Sequence, residues 1–144
     1  MTVARILASK GSTEVETITS AESLADAAAV LSSRRIGALV VSDDGRAVAG
    51  IVSERDLVRV LGREGPACLR RPVADVMTVQ VETCGPADDV PGIMERMTAG
   101  RFRHMPVLDG GRLAGIISIG DVVKHRMSEL EHEAAALSDM IKGY

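Results

Sequence analysis

Two stretches of the chain carry the same polar pair at the same spacing. "GIVSERD" runs from Gly50 to Asp56 and "GIISIGD" from Gly115 to Asp121. In each, a glycine and two β-branched residues lead to a serine, and an aspartate follows three residues later. If a helix starts at the serine, Ser53 with Asp56 and Ser118 with Asp121 close capping boxes. The same corner has a second use. First-turn amides and the positive end of the helix dipole attract anions such as phosphates, and a carboxylate beside them suits the paired hydroxyls of a ribose. Both corners follow the end of an apolar strand, where open sheets collect ligands. Arg55, next to Asp56, either reaches a phosphate as a charge-assisted donor or extends into solvent. Its counterpart is Gly120, so the second corner lacks that cation, with Arg101, Arg103 or His104 as candidate replacements.

Other reactive residues fall into no constellation. His104, His125 and His132 have no metal-site spacing. His125 and His132 read as a solvated helix face near Glu129, and His104 as a cleft-edge or buried polar group. No nucleophile–base pair exists outside the caps, which argues against an enzyme. "DGGR" lacks the frame of a phosphate loop and reads as a hairpin turn. Seven methionines sit at apolar positions as core filler. Cys68 and Cys84 form no CxxC pair, which suits a reduced cytoplasmic setting.

The elements that must position the corners come from a repeat. "AESLADAAAVLSSRRIGALVVSD" from Ala21 lies over "ADDVPGIMERMTAGRFRHMPVLD" from Ala87 at an offset of 66 residues. One deletion in the second turn then brings Gly50 onto Gly115. Each unit starts with a short extended piece, Val15–Ile18 or Val79–Thr83. Helical stripes follow at Leu24, Ala27, Ala28, Leu31 and at Val90, Ile93, Met94, Met97, with Ser20 or Pro86 ahead of them. Two hairpins come next, Ala38–Val41 with Val48–Val52 and His104–Leu108 with Leu113–Ile117. Helices then begin at Ser53 and Ser118. The fold class is mixed α/β (α+β), a β-α-β-β-α unit written twice. The linker "LGREGPACLRRPVADVM" carries a helical turn at "VADVM", and "VARIL" near the start looks like its counterpart. Units are expected at residues 1–66 and 67–127, with a helical tail at 128–144. In that tail Val123, Met127, Leu130, Ala134, Leu137 and Ile141 step as a heptad seam. It packs either on its own domain or on a second copy.

Composition narrows the partners. The 144 residues are 46% hydrophobic, carry a formal charge of -3 and include only two aromatics, Phe102 and Tyr144. Without a basic run or a stacking platform, a nucleic-acid partner is disfavoured. No apolar run is long enough for a membrane span.

Two copies of strand, helix, "x-G-A-L-V-V" or "R-H-M-P-V", hairpin and "G-h-h-S-x-x-D" resemble a pair of cystathionine-β-synthase (CBS) domains, a Bateman module. The resemblance runs from about Val3 to Met127. It implies a disc of two repeats with two clefts that bind adenosine ligands: AMP, ADP, ATP, NAD(H) or, less expected, S-adenosylmethionine. On it, Asp56 and Asp121 would take ribose hydroxyls, and Ser53 and Ser118 would lie near the ribose or α-phosphate. Val15, Thr17, Val81 and Thr83 would line the base. The backbones of Ile36, Gly37, Ala38 and of Arg103, His104, Met105 would bond its edge, with Pro106 beside them. Val40 stands where the family pattern has that proline. The implied function is a regulatory sensor with no catalytic cofactor or metal, likewise a homodimer with a possible regulated protein partner. A scaffold with vestigial clefts is the alternative.

Overall fold

The computed structural model describes residues 1–11 and 15–143. The chain runs α1 (Val3–Ser9), β1 (Thr17–Ile18), α2 (Leu24–Arg34), β2 (Ala38–Val41), β3 (Gly50–Ser53) and α3 (Glu54–Glu64). Two 3₁₀ turns, Pro66–Arg70 and Val73–Asp75, form the linker. Then come α4 (Val90–Gly100), β4 (His104–Asp109), β5 (Arg112–Ser118) and α5 (Ile119–Ile141). The first sheet has the order β1-β2-β3, with β1 parallel and β3 antiparallel to β2. The second sheet is the hairpin β4-β5. Its tight turn places Gly110 and Gly111 at φ 59° and 81°, the paired positive angles of a type I′ turn.

The extended piece expected at Val79–Thr83 is not a strand. Only Cys84 bridges to Val107 there, where the first repeat pairs Thr17 and Ile18 with Val40 and Val41. Pro106, standing in the place of Val40, has no N–H for a ladder; the Thr83 carbonyl accepts from the Arg96 guanidinium at 2.8 Å. The cap of α2 is also one turn later than Ser20: Ser23 closes a capping box with Asp26. Ser20 instead donates through its hydroxyl to Asp43 at 3.0 Å. On the second side Asp89, not Pro86, caps α4.

The two cores exchange segments. Val73 of the linker is fully buried among Ile18, Leu24, Ala27, Leu39 and Val52 of the first repeat. Val3 and Ile6 of α1 are fully buried among Val90, Ile93, Met105 and Ile117 of the second. The backbone bonds match as well. Leu24 N donates to Arg71 O and Val73 N to Glu22 O, as Val90 N donates to Met1 O and Val3 N to Asp88 O. A helix of seven residues is marginal alone; burial of its apolar side, at about 25 cal/mol per Å², holds it in place.

The glycines that open the two corners admit these exchanged segments. A Cβ on Gly50 would lie 2.8 Å from both Met77 Sδ and the Thr78 carbonyl oxygen. A Cβ on Gly115 would lie 2.6 Å from Leu7 Cδ2.

The long helix α5 leaves its heptad seam in solvent: Met127, Leu130, Leu137 and Ile141 are all exposed. Its opposite side holds α1. His125 is part of that contact rather than a solvated face, with Nε2 2.8 Å from Ser9 Oγ. No helix among the described residues is long and apolar enough to cross a membrane.

The two glycines predict different costs. Gly50→Ala meets a backbone carbonyl and should destabilise by about 2 kcal/mol, whereas Gly115→Ala meets a flexible side-chain tip and should cost about half that or less. Urea unfolding of both variants checks the order; a larger loss for Gly115→Ala would contradict it.

Candidate functional site

Both repeated corners are capping boxes. At the first, the Ser53 amide and hydroxyl donate to Asp56 Oδ2 at 2.9 and 3.1 Å, and the Asp56 amide donates to Ser53 Oγ at 3.4 Å. At the second, the Ser118 amide donates to Asp121 Oδ2 at 2.9 Å and the Asp121 amide to Ser118 Oγ at 3.1 Å. Capping occupies Oδ2 alone in each case. Asp56 Oδ1 lies 3.5 Å from Arg59 Nη1. Asp121 Oδ1 has no hydrogen-bond partner among the described residues. The structural and the ligand-binding uses of the aspartate are therefore compatible, since each needs a different oxygen.

The first corner opens into a cavity of about 640 Å³, within the range of small-molecule sites. One wall is Ser53–Asp56, Arg59 and Gly37 from the first repeat; the other is Gln80–Glu82 and Gly100–His104 from the second. Arg59 is paired with Asp56, and Glu82 with Arg96. Arg55, Arg101 and Arg103 meet no carboxylate within ion-pair distance among the described residues. These three guanidiniums line the same cavity as the carboxylates of Glu54, Asp56 and Glu82. Arg101 also ends α4 in the left-handed region, at φ 56° and ψ 36°, a conformation that costs a non-glycine residue about 1 kcal/mol.

His104 stands at the meeting of the repeats. A Cβ on Gly37 would lie 3.2 Å from its ring, so the glycine is what lets the imidazole approach. Burial lowers the His104 pKa despite the opposing fields of Asp121 and Glu54, with Lys10 and Arg103 adding to the depression. The depression favours the uncharged ring. Burial by itself would raise the Asp121 carboxyl; the bond from the Ser118 amide and the contact with Lys10 outweigh it and hold the group below its ordinary value.

Of the residues singled out from sequence, the cavity brings together Gly37, Ser53, Arg55, Asp56, Val81, Arg103 and His104. Val15, Thr17, Ile36, Ala38, Thr83, Met105, Pro106, Ser118 and Asp121 are not on its lining. Met105 is fully buried in the second core. Two backbone groups expected at a base edge already have partners: the Gly37 carbonyl accepts from Glu54 N at 3.0 Å, and the Arg103 carbonyl from Ile119 N at 2.8 Å. Arg101 and Arg103 do not replace the missing cation of the second corner. They share the cavity of Arg55, which joins the serine corner of the first repeat to the strand edge of the second.

Two cleft residues escaped the sequence reading. Gln80 lines the first cleft, and Lys10 donates to Asp121 Oδ2 and to the Ile116 carbonyl, both at 2.9 Å. Their signal was present: extending "VARIL" against "VADVM" by three residues aligns Lys10 with Gln80. Cys84 is inert, its thiol pushed up to about 11 mainly by burial, with Asp88 adding and Arg96 opposing. No cluster of three or more metal-ligating side chains occurs among the described residues.

The sequence model for the CBS domain matches residues 6–63 and 73–128. The mitochondrial CBS domain-containing protein CBSX3 of Arabidopsis thaliana is 35% identical over 129 residues, covering 87% of this chain. The chain spans 63% of that relative's length. A crystal structure of a CBS-domain containing protein from Agrobacterium tumefaciens is 46% identical, with a TM-score of 0.83 over 88% of this chain and 99% of that one. A CBS domain protein from Pyrobaculum aerophilum, solved complexed with AMP, shares the fold at 22% identity and a TM-score of 0.73, over 84% of this chain and 89% of its own. With matched corners, matched crossovers and a family match on each repeat, the chain belongs to the CBS-domain family as a tandem pair.

Proposed function

We propose that this CBS pair is a regulatory binding module for an adenine nucleotide, with no chemistry of its own. The observation that carries the reading is the first cleft: an aspartate with one oxygen free of its cap faces a cavity ringed by Arg55, Arg101 and Arg103. A ribose on Asp56 would direct its 5′ substituent toward those guanidiniums. The charge favours phosphate-bearing ligands (AMP, ADP, ATP or NAD(H)) over S-adenosylmethionine, whose sulfonium is itself a cation. The AMP complex of the Pyrobaculum relative supports the same class. Because the cleft walls come from different repeats, a nucleotide that bridges them favours one arrangement of the pair, and a regulated partner would read that shift. Two buried free cysteines suit a reducing cytoplasm.

The exposed seam of α5 supports a homodimer. Val123, Leu130 and Leu137 alternate with Met127, Ala134 and Ile141, and the flanking charges divide by position: Lys124 and Arg126 early, Glu131 and Glu133 late. In an antiparallel pair, Lys124 would meet the partner's Glu131 and Met127 would pack on the partner's Leu130, while Arg126, paired with Glu129 of its own helix at 2.8 Å, would come near the partner's Glu133. A parallel pair keeps only the contact of Arg126 with the partner's Glu131.

Three outcomes follow. AMP or NADH at millimolar concentration should raise the melting temperature, and Asp56→Ala or Asp121→Ala should each remove a share of the rise; no shift with any adenosine ligand would count heavily against the reading. Arg101→Gly should relieve the left-handed strain, raising stability by about 1 kcal/mol, while weakening nucleotide binding by calorimetry. For the dimer, the double variant Met127→Cys, Leu130→Cys should cross-link on mild oxidation, whereas Leu130→Cys alone should not; efficient cross-linking of the single variant would indicate parallel helices.

A further inference from the structure

The ring of His104 is packed where the two repeats press together. The residue opens β4 opposite Ser118 of β5, and its half-buried side chain reaches across to the first repeat. A Cβ on Gly37 would lie 3.2 Å from both Cε1 and Nε2 of that ring, and 3.6 Å from Glu54 Oε1. The imidazole therefore fills the notch that the glycine leaves. Both sides of this contact line the first cavity. Backbone bonds brace it from each repeat: Glu54 N donates to the Gly37 carbonyl at 3.0 Å, and Ile119 N to the Arg103 carbonyl at 2.8 Å. Among the described residues the histidine hydrogen bonds belong to His125 and His132. The ring nitrogens of His104 make none.

We propose that His104 is a proton-sensitive wedge in this joint: the uncharged ring holds the repeats together at Gly37, and the charged ring withdraws and loosens the cavity walls. An uncharged imidazole packs on backbone at little cost, whereas a charged ring without a partner must keep water. The surrounding charges do not hold it in place. Glu54 on α3 and Asp121 on α5 draw a proton toward the ring, while Lys10 beyond α1 and Arg103 beside it oppose one. Asp121 is already engaged by Lys10 and by its own cap. Arg55 and Arg101 add positive charge around the same cavity, where Asp56 is taken up by Arg59 and Glu82 by Arg96. Burial outweighs the attraction and holds the His104 pKa below its ordinary value. A histidine depressed by folding supports the joint fully above its unfolded value of 6.5, and the support is lost as the pH falls below it. Because the cavity walls lie on either side of the joint, acidity acts on the cavity itself.

Amide hydrogen exchange of the full chain, followed by NMR at about pH 7.5 and about pH 5.5 and corrected for intrinsic exchange, tests the wedge. Acidification should speed exchange severalfold at Glu54 and Ile119. It should leave Ser42 and Leu108, which donate to Ile18 and Cys84 inside the two cores, at their neutral-pH protection. His104→Gln should abolish the acid effect, and His125→Gln, at the α1 contact, should keep it. In the wild type, NMR titration should place the His104 ring below about 6.5. An acid effect that survives His104→Gln overturns the proposal, as does one that reaches Ser42 and Leu108 equally, which would mean general acid unfolding. A His104 ring that titrates at or above about 6.5 overturns it without any variant. None of these measurements uses a nucleotide, so their outcome is separate from that of the nucleotide reading.

Discussion

The exchange of short segments between the two cores is the constraint on which the molecule depends. Each repeat buries an apolar side that it cannot cover alone, and each is covered by chain lying outside it: Val73 for the first, Val3 and Ile6 for the second. Neither repeat can separate without opening both cores. The same crossing sets the fine geometry of the corners. Because Met77 and Leu7 press on the strands at Gly50 and Gly115, those positions favour glycine, and Gln80, just beyond the first contact, reaches the cavity.

The proposed function rests on a local motif that stability already requires. A capping box on each second helix engages one carboxylate oxygen; the other lies against Arg59 at Asp56 and has no hydrogen-bond partner among the described residues at Asp121. What differs between the corners is the surrounding charge: the first opens on a cavity lined by Arg55, Arg101 and Arg103, whereas the second meets Lys10.

Much of this was legible in order along the chain. The repeat, the helical stripes, both hairpins and both caps at Ser53 and Ser118 depend on spacing within a few residues, and spacing is what a sequence displays. Errors arose where a local signal met a distant partner. Val79–Thr83 has strand-like residues but faces Pro106, which cannot donate to it. Ser20 has the chemistry of a cap but is drawn to Asp43, leaving the role to Ser23. His125 looks solvated on its own helix and is covered by a segment more than a hundred residues earlier.

By itself the sequence determined the twofold plan, the serine–aspartate corners and the apolar seam of the last helix. These follow from hydrophobic period and from hydrogen bonds closed within one turn, which need no knowledge of the rest of the molecule. Tertiary structure alone decided which corner faces which strand edge, that Arg101 and Arg103 join Arg55, and that Lys10 reaches Asp121. Those contacts link residues as far apart as 111 positions. They are fixed by burial of the crossing segments, a property of the assembled cores that no stretch of chain carries alone.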